Sequence, residues 1–141
     1  MLMFASLLLA AAFAHTSPCP GIHVKILNIR NRNGTVDCAL FDSPEGFPRE
    51  FLHSAQNVMV IKIRRTEARC DFEAIPPGTY ALAVIHDENS NGRLDSNPLG
   101  VPTEGYGFSN DATALFGTPS FSDASFSYNG QSLDMTISLH Y

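Results

Sequence analysis

The sequence predicts an all-β protein: an antiparallel β-sandwich of about seven strands with one long ordered loop. Three observations carry that reading. Short runs rich in β-branched residues, several of them alternating apolar and polar, recur along the chain. Turn-forming pairs such as Asn33-Gly34 and Asn129-Gly130 separate them. No apolar spacing of helical period persists for more than a few residues.

The first fourteen residues, MLMFASLLLAAAFA, carry no charge and are almost wholly apolar. The run is too short to span a bilayer and ends in the small-x-small pattern Ala12-Phe13-Ala14. Residues 1–14 are therefore expected to be a signal peptide. Residues 15–141 remain as one β-sandwich domain with no transmembrane segment after cleavage. GIHVKILNIR then places Ile22, Val24 and Ile26 on one face, as a half-buried strand requires. TVDCALFD alternates Val36, Cys38 and Leu40 against Asp37, Ala39 and Phe41. Asn33-Gly34 between these two strands signals a hairpin, because both residues tolerate positive φ. SPEGFP reads as a loop, and REFLHSAQ as a short helical turn.

NVMVIKIR and ARCDFEAI are the third and fourth strands. After the turn Ile75-Pro76-Pro77-Gly78, GTYALAVIHD is the fifth. The segment 88–120 is rich in Gly, Pro, Asn and Ser, and too long for a plain connection. Its Tyr106, Phe108, Leu115 and Phe116, with Phe121 just beyond, carry enough apolar surface to predict packing against the sandwich. ASFSYN and SLDMTISLHY should close the chain as a last hairpin, with Leu133, Met135, Ile137 and Leu139 facing one way.

An apolar share of 44% supports a packed core. The net charge is -5, and Lys and Arg are scattered along the sequence. No basic patch is visible, which argues against nucleic acid and anionic membrane surfaces as partners. The three cysteines, Cys19, Cys38 and Cys70, include no CxxC pair, so neither a zinc knuckle nor a thioredoxin-like site is indicated. Cys38 and Cys70 each share a face with apolar neighbours, which predicts a Cys38–Cys70 disulfide and a free Cys19.

HDENSNGRLD, residues 86–95, is the densest run of oxygen donors. Asp87, Asn89 and Asn91 fit the first, third and fifth positions of a calcium loop. Gly92 stands at its sharp turn, Arg93 offers a backbone carbonyl at the seventh position, and Asp95 falls at the ninth. Oxygen donors on a flexible loop suit Ca2+, bound here as a structural ion. The twelfth position is Pro98 in place of a bidentate Glu, so Glu104 and Asp111 are candidates for additional metal or ligand contacts. Asp, Asn and Gly also build self-capped turns. The six correctly spaced positions favour a metal. His86, Tyr106, Phe108 and Asn110 are candidate loop contacts, and no residue is assigned a catalytic role.

Several stretches resemble one known family. They are Ala39 to Pro48, Ile75 to Ala81, HDENSNGRLD, GVPTEGYGFSNDA, and Phe116-Gly117-x-Pro119-Ser120-Phe121. Together they are similar to the bacterial exported proteins grouped as domain of unknown function 2141. The Pro-Pro-Gly-x-Tyr turn before an Asp-x-Asn-x-Asn-Gly loop also resembles prealbumin-like and immunoglobulin-like sandwich modules. The resemblance implies a sandwich and a periplasmic or secreted location, with no established activity. The expectation is an exported, calcium-stabilised module with a binding or structural role in the cell envelope, its partner an envelope protein or a glycan. The alternative is a carbohydrate-active or hydrolytic protein with its site in the 86–120 loop. The residues favour the module over the enzyme.

Overall fold

Ile22, Val24 and Ile26 alternate along strand β1 (Gly21–Leu27) and are fully buried, as their spacing predicts. They belong to a computed structural model that describes residues 19–141. The expected signal segment, residues 1–14, lies outside the described residues. Strands β2 (Thr35–Phe41), β3 (Asn57–Lys62), β4 (Ala68–Phe72) and β5 (Gly78–Asp87) follow. After them come β6 (Gly105–Phe108), β7 (Ser125–Tyr128) and β8 (Ser132–Ser138). Two single-turn helices interrupt them, α1 (Phe51–Ser54) within REFLHSAQ and α2 (Phe121–Ala124). Ser120 caps α2 by accepting from Asp123 N at 3.1 Å. Among the described residues no helix is long and apolar enough to cross a membrane.

The strands form a three-stranded sheet, β4-β1-β8, and a five-stranded sheet, β3-β2-β5-β6, with β7 added on β5. Pairing is antiparallel except between β1 and β8, which run parallel from Gly21↔Ser132 to Leu27↔Ser138. The facing sheets enclose a core of Ile22, Val24, Ile26, Val36, Leu40, Phe72, Leu82, Val84, Ile137 and Leu139. Cys38 on β2 and Cys70 on β4 are bonded across it with their Cα atoms 6.8 Å apart, as predicted. Cys19 is free and exposed.

Neither expected hairpin forms. β1 and β2 lie in different sheets, and so do β7 and β8. A two-residue hairpin turn of the type Asn-Gly favours needs positive φ at both residues. Here only the glycines have it, Gly34 at 67° and Gly130 at 88°. Asn31 and Asn129 accept from the main-chain N of Asn33 (2.9 Å) and Gln131 (3.0 Å), so each turn is built by a side chain and carries the strand across to the other sheet. Gly34 also runs against the end of β5, where a Cβ would collide with the carbonyl oxygen of Asp87.

The segment 88–120 is less irregular than its composition suggests. It contains β6, which pairs with β5 from Ala83↔Phe108 to His86↔Gly105, and a 3-10 turn at Ser109–Asp111. Phe108, Phe121 and Tyr106 pack on the outer face of the five-stranded sheet with Phe41, Phe47, Phe51, Ala39, Ala81 and Ala83. Leu115 and Phe116 do not join them. They are 97% and 93% exposed, in the connection just before Gly117 (φ 74°).

Candidate functional site

β5 is buried from Tyr80 to Asp87 and delivers His86 and Asp87 to one end of the sandwich. Strand alternation sends the two side chains to opposite faces. His86 turns inward, as its position two residues after Val84 predicts, and is fully buried. Its Nε2 lies 2.8 Å from the Asn33 carbonyl and its Nδ1 2.7 Å from the Tyr141 hydroxyl. A carbonyl only accepts, so Nε2 carries the proton and Nδ1 accepts from Tyr141. Tyr141 Oη accepts in turn from Arg30 N at 3.1 Å, and the Arg30 guanidinium sits over its ring at 4.5 Å. Both ring nitrogens of His86 are thus engaged in holding the 28–34 connection and the C-terminal residue to β5.

Asp87 turns outward and is 1% exposed. Its Oδ1 accepts from Asn91 N (3.0 Å) and its Oδ2 from Gly92 N (2.6 Å), which closes the loop over the carboxylate. Gly92 takes φ 75°, as the tight reversal requires. Across the loop, Asp95 accepts from Asn89 Nδ2 at 2.5 Å and from Asn91 Nδ2 at 2.9 and 3.1 Å. Asn91 Oδ1 accepts from Arg93 N at 3.0 Å. Asp87, Asn89, Asn91, Arg93 and Asp95 therefore share one small hydrogen-bonded loop.

Glu104 is buried and brackets that loop. Its Oε1 accepts from Glu88 N (2.9 Å) and its Oε2 from Asp95 N (3.0 Å), so one carboxylate ties the two ends together. Arg30 ties them from outside, reaching Glu88 at 2.6 Å and the Thr103 carbonyl at 3.1 Å. Asp111 is not brought to the loop. It lies beyond the other end of β6, where Oδ1 is 3.5 Å from Ser138 N. Asn110, also there, donates to the carbonyls of Asp123 (3.2 Å) and Ser125 (2.8 Å). Tyr106 and Phe108 belong to the outer apolar cluster.

One acid escaped the sequence reading. Asp37 is 4% exposed and shares the outer face of β2 with Ala39 and Phe41. Thr35 pairs with Asp87, and the Thr35 hydroxyl donates to Asp37 Oδ1 at 2.8 Å. Burial raises the Asp37 carboxyl from 3.8 to about 6, with the negative charges of Asp87 and Glu104 adding to the effect. The available signal was a lone acid among Ala39 and Phe41 on an otherwise apolar face. Asp37, Asp87 and Glu104 are thus three buried carboxyl groups at one end of one sheet face. Among the described residues no Lys or Arg forms an ion pair with any of them. No three His, Cys, Asp or Glu side chains among those residues converge into a ready-made metal cage.

Pattern and geometry agree with the family match. Residues 24–136 match the family described as an uncharacterized protein conserved in bacteria, domain of unknown function 2141. The chain belongs to this family. The matched span begins within β1, ends within β8 and includes both the 86–95 loop and Glu104. Comparison with curated proteins and with solved structures found no match.

Proposed function

We propose that this member of the family is an exported module whose 86–95 loop binds one Ca2+, and that the ion fixes a binding or structural surface in the cell envelope. The single observation that carries the reading is the convergence of Asn89, Asn91 and Asp95 within hydrogen-bond distance beside buried Asp87. Side-chain oxygens or amides from three loop residues meet at one place, and the donor set is wholly hard. Each Asn presents its amide nitrogen to Asp95. Rotation about the last side-chain torsion exchanges that nitrogen for the carbonyl oxygen, so the same residues can serve a cation. Among the described residues no Lys or Arg pairs with the buried carboxyl groups behind the loop, which leaves their negative charge available to a cation. Glu104, already committed to two main-chain N–H groups, positions the loop ends.

The leader-like segment and the Cys38–Cys70 bridge support a periplasmic or secreted location, since such bridges persist in oxidising compartments. An envelope protein or a glycan is the partner such a location offers.

Calorimetric titration and thermal melting test the ion. Native-state binding adds RT ln(1 + [L]/Kd) to stability, about 2.7 kcal/mol at a hundredfold excess over Kd. Melting temperature should rise with millimolar Ca2+, rise less with Mg2+ and fall with chelator. Asp87→Ala should abolish the response, while Glu88→Ala, whose side chain points to Arg30, should keep it. Melting that ignores Ca2+ in protein shown to be metal-free would reduce the loop to a self-capped turn.

A further inference from the structure

Four of the nine Lys and Arg residues are gathered by the fold. Lys25 of β1, Lys62 of β3, Arg69 of β4 and Arg64 from the β3–β4 connection line one open cleft of about 690 Å³. Val60, Ile61 and Ala68 supply its apolar surface, and Glu67 is its one acid. Four cations therefore face one anion in a chain whose net charge is -5. Lys25 lies 3.7 Å from Glu67 and Arg69 lies 3.0 Å from Asp71. Among the described residues Lys62 and Arg64 form no ion pair.

The cleft opens where two sheets end. β3 terminates the five-stranded sheet and β4 the three-stranded one. Among the described residues β3 pairs only with β2, and no other main-chain hydrogen bond reaches Val58 to Lys62, while Arg64 just beyond is bridged to Glu67. Its outer edge thus offers a row of unused N–H and C=O groups. Met59 and Ile61 pack on the core, so alternation puts Val60, Lys62 and Arg64 on the opposite side. Val60 is 63% exposed.

We propose that this cleft binds an extended acidic polypeptide, which adds as a strand to the free edge of β3. Main-chain pairing would supply affinity, and cross-strand pairs would supply specificity. The expected ligand carries an apolar residue opposite Val60 and an acidic residue opposite Lys62; Arg64, whose main chain is already bridged to Glu67, offers only its side chain to a further acidic residue beyond the paired stretch. Lys25 and Arg69 of the other sheet line the same cleft and add positive charge beside that strand. The unused main-chain edge favours a peptide over a polyanionic glycan or nucleic acid, which would need the cations alone.

The probe is a synthetic peptide with Val and Glu at alternate positions and Thr between them. The readouts are titration calorimetry and amide hydrogen exchange on the full chain. Binding should weaken with added salt and slow exchange at β3 amides. Lys62→Glu with Arg64→Glu should weaken binding about tenfold or more, and a peptide with Lys in place of Glu should not bind. An unchanged circular dichroism spectrum shows that the double variant is folded. No binding would mean that Lys62 and Arg64 merely guard a bare edge, and would overturn the proposal. Heparin competing for the cleft while the peptide leaves β3 exchange unaltered would overturn it in favour of a plain polyanion site.

Discussion

The five-stranded sheet is apolar on both faces, and the two faces are closed by unlike means. The inner face meets a second sheet of alternating residues, and the Cys38–Cys70 bond spans the interface. The outer face has no sheet over it. Residues 42–56 and 109–124 cover it with Phe47, Phe51 and Phe121, whose rings meet Phe41 and one another edge-on at 5.1 to 6.2 Å. Irregular cover cannot rely on ladder hydrogen bonds, so single polar side chains hold it down. The buried Ser109 hydroxyl accepts from Leu82 N at 2.9 Å and donates to the Ala124 carbonyl. Regular layers share their stability over many pairs, whereas an irregular layer concentrates it in a few anchors.

Phe41→Ala is the strongest way to break the outer face. Phe41 is fully buried against Phe47 and Phe51, so the cavity should cost about 3–5 kcal/mol in urea unfolding. Its inner-face counterpart is Cys38→Ala with Cys70→Ala. The bridge closes a sequence separation of 32, worth about 3–4 kcal/mol in the chain-entropy account. An unfolding midpoint unmoved by reduction would show that the two sheets hold each other without it.

The buried acid separates the faces by pH. Asp37 titrates near 6 in the folded chain against an ordinary 3.8. Below about pH 4 its carboxyl is protonated in both states and the stabilisation is full. Between about 4 and 6 the unfolded chain ionises first, so this contribution falls as pH rises and is gone above about 6. Its ceiling is about 3 kcal/mol at 1.36 kcal/mol per unit. In chelator, subtracting the stability profile of Asp37→Asn should isolate that slope, and identical slopes would refute it. Smallest is Ser109→Ala. It strands the buried Leu82 N–H and should cost about 1–3 kcal/mol, while Ser125→Ala, a half-buried hydroxyl outside the cluster, should change stability by no more than about 0.5 kcal/mol.

Inner-face residues were readable because a period of two shows in the sequence wherever one face is buried and the other wet. Ile22, Val24 and Ile26 show it plainly. Pairing was not readable. Asn33-Gly34 carries a local hairpin signal, and only the burial of β2 on both faces decides that its strands part. β6 was hidden because GYGF holds two glycines, and Gly107 is required where a Cβ would press on Ile137 Cγ2 at 2.7 Å. The 86–95 loop was legible because its donors are contiguous. Glu104 was legible with it as a candidate extra contact, but Asp37 was not, since only the register of β2 on β5 brings it there. Three of the cleft's cations, Lys62, Arg64 and Arg69, lie within eight residues of one another, and only the pairing of β1 with β4 brings Lys25 to them.

The parallel pairing of β1 with β8 has a kinetic consequence. The three-stranded sheet needs residues 21–27 and 132–138 side by side, so a chain made N-terminus first cannot complete it until residue 138 has emerged. That pairing spans more than a hundred residues of sequence, and topologies dominated by such long-range contacts fold slowly. Until β8 is made, β1 is held by β4 alone, so this sheet closes late in synthesis.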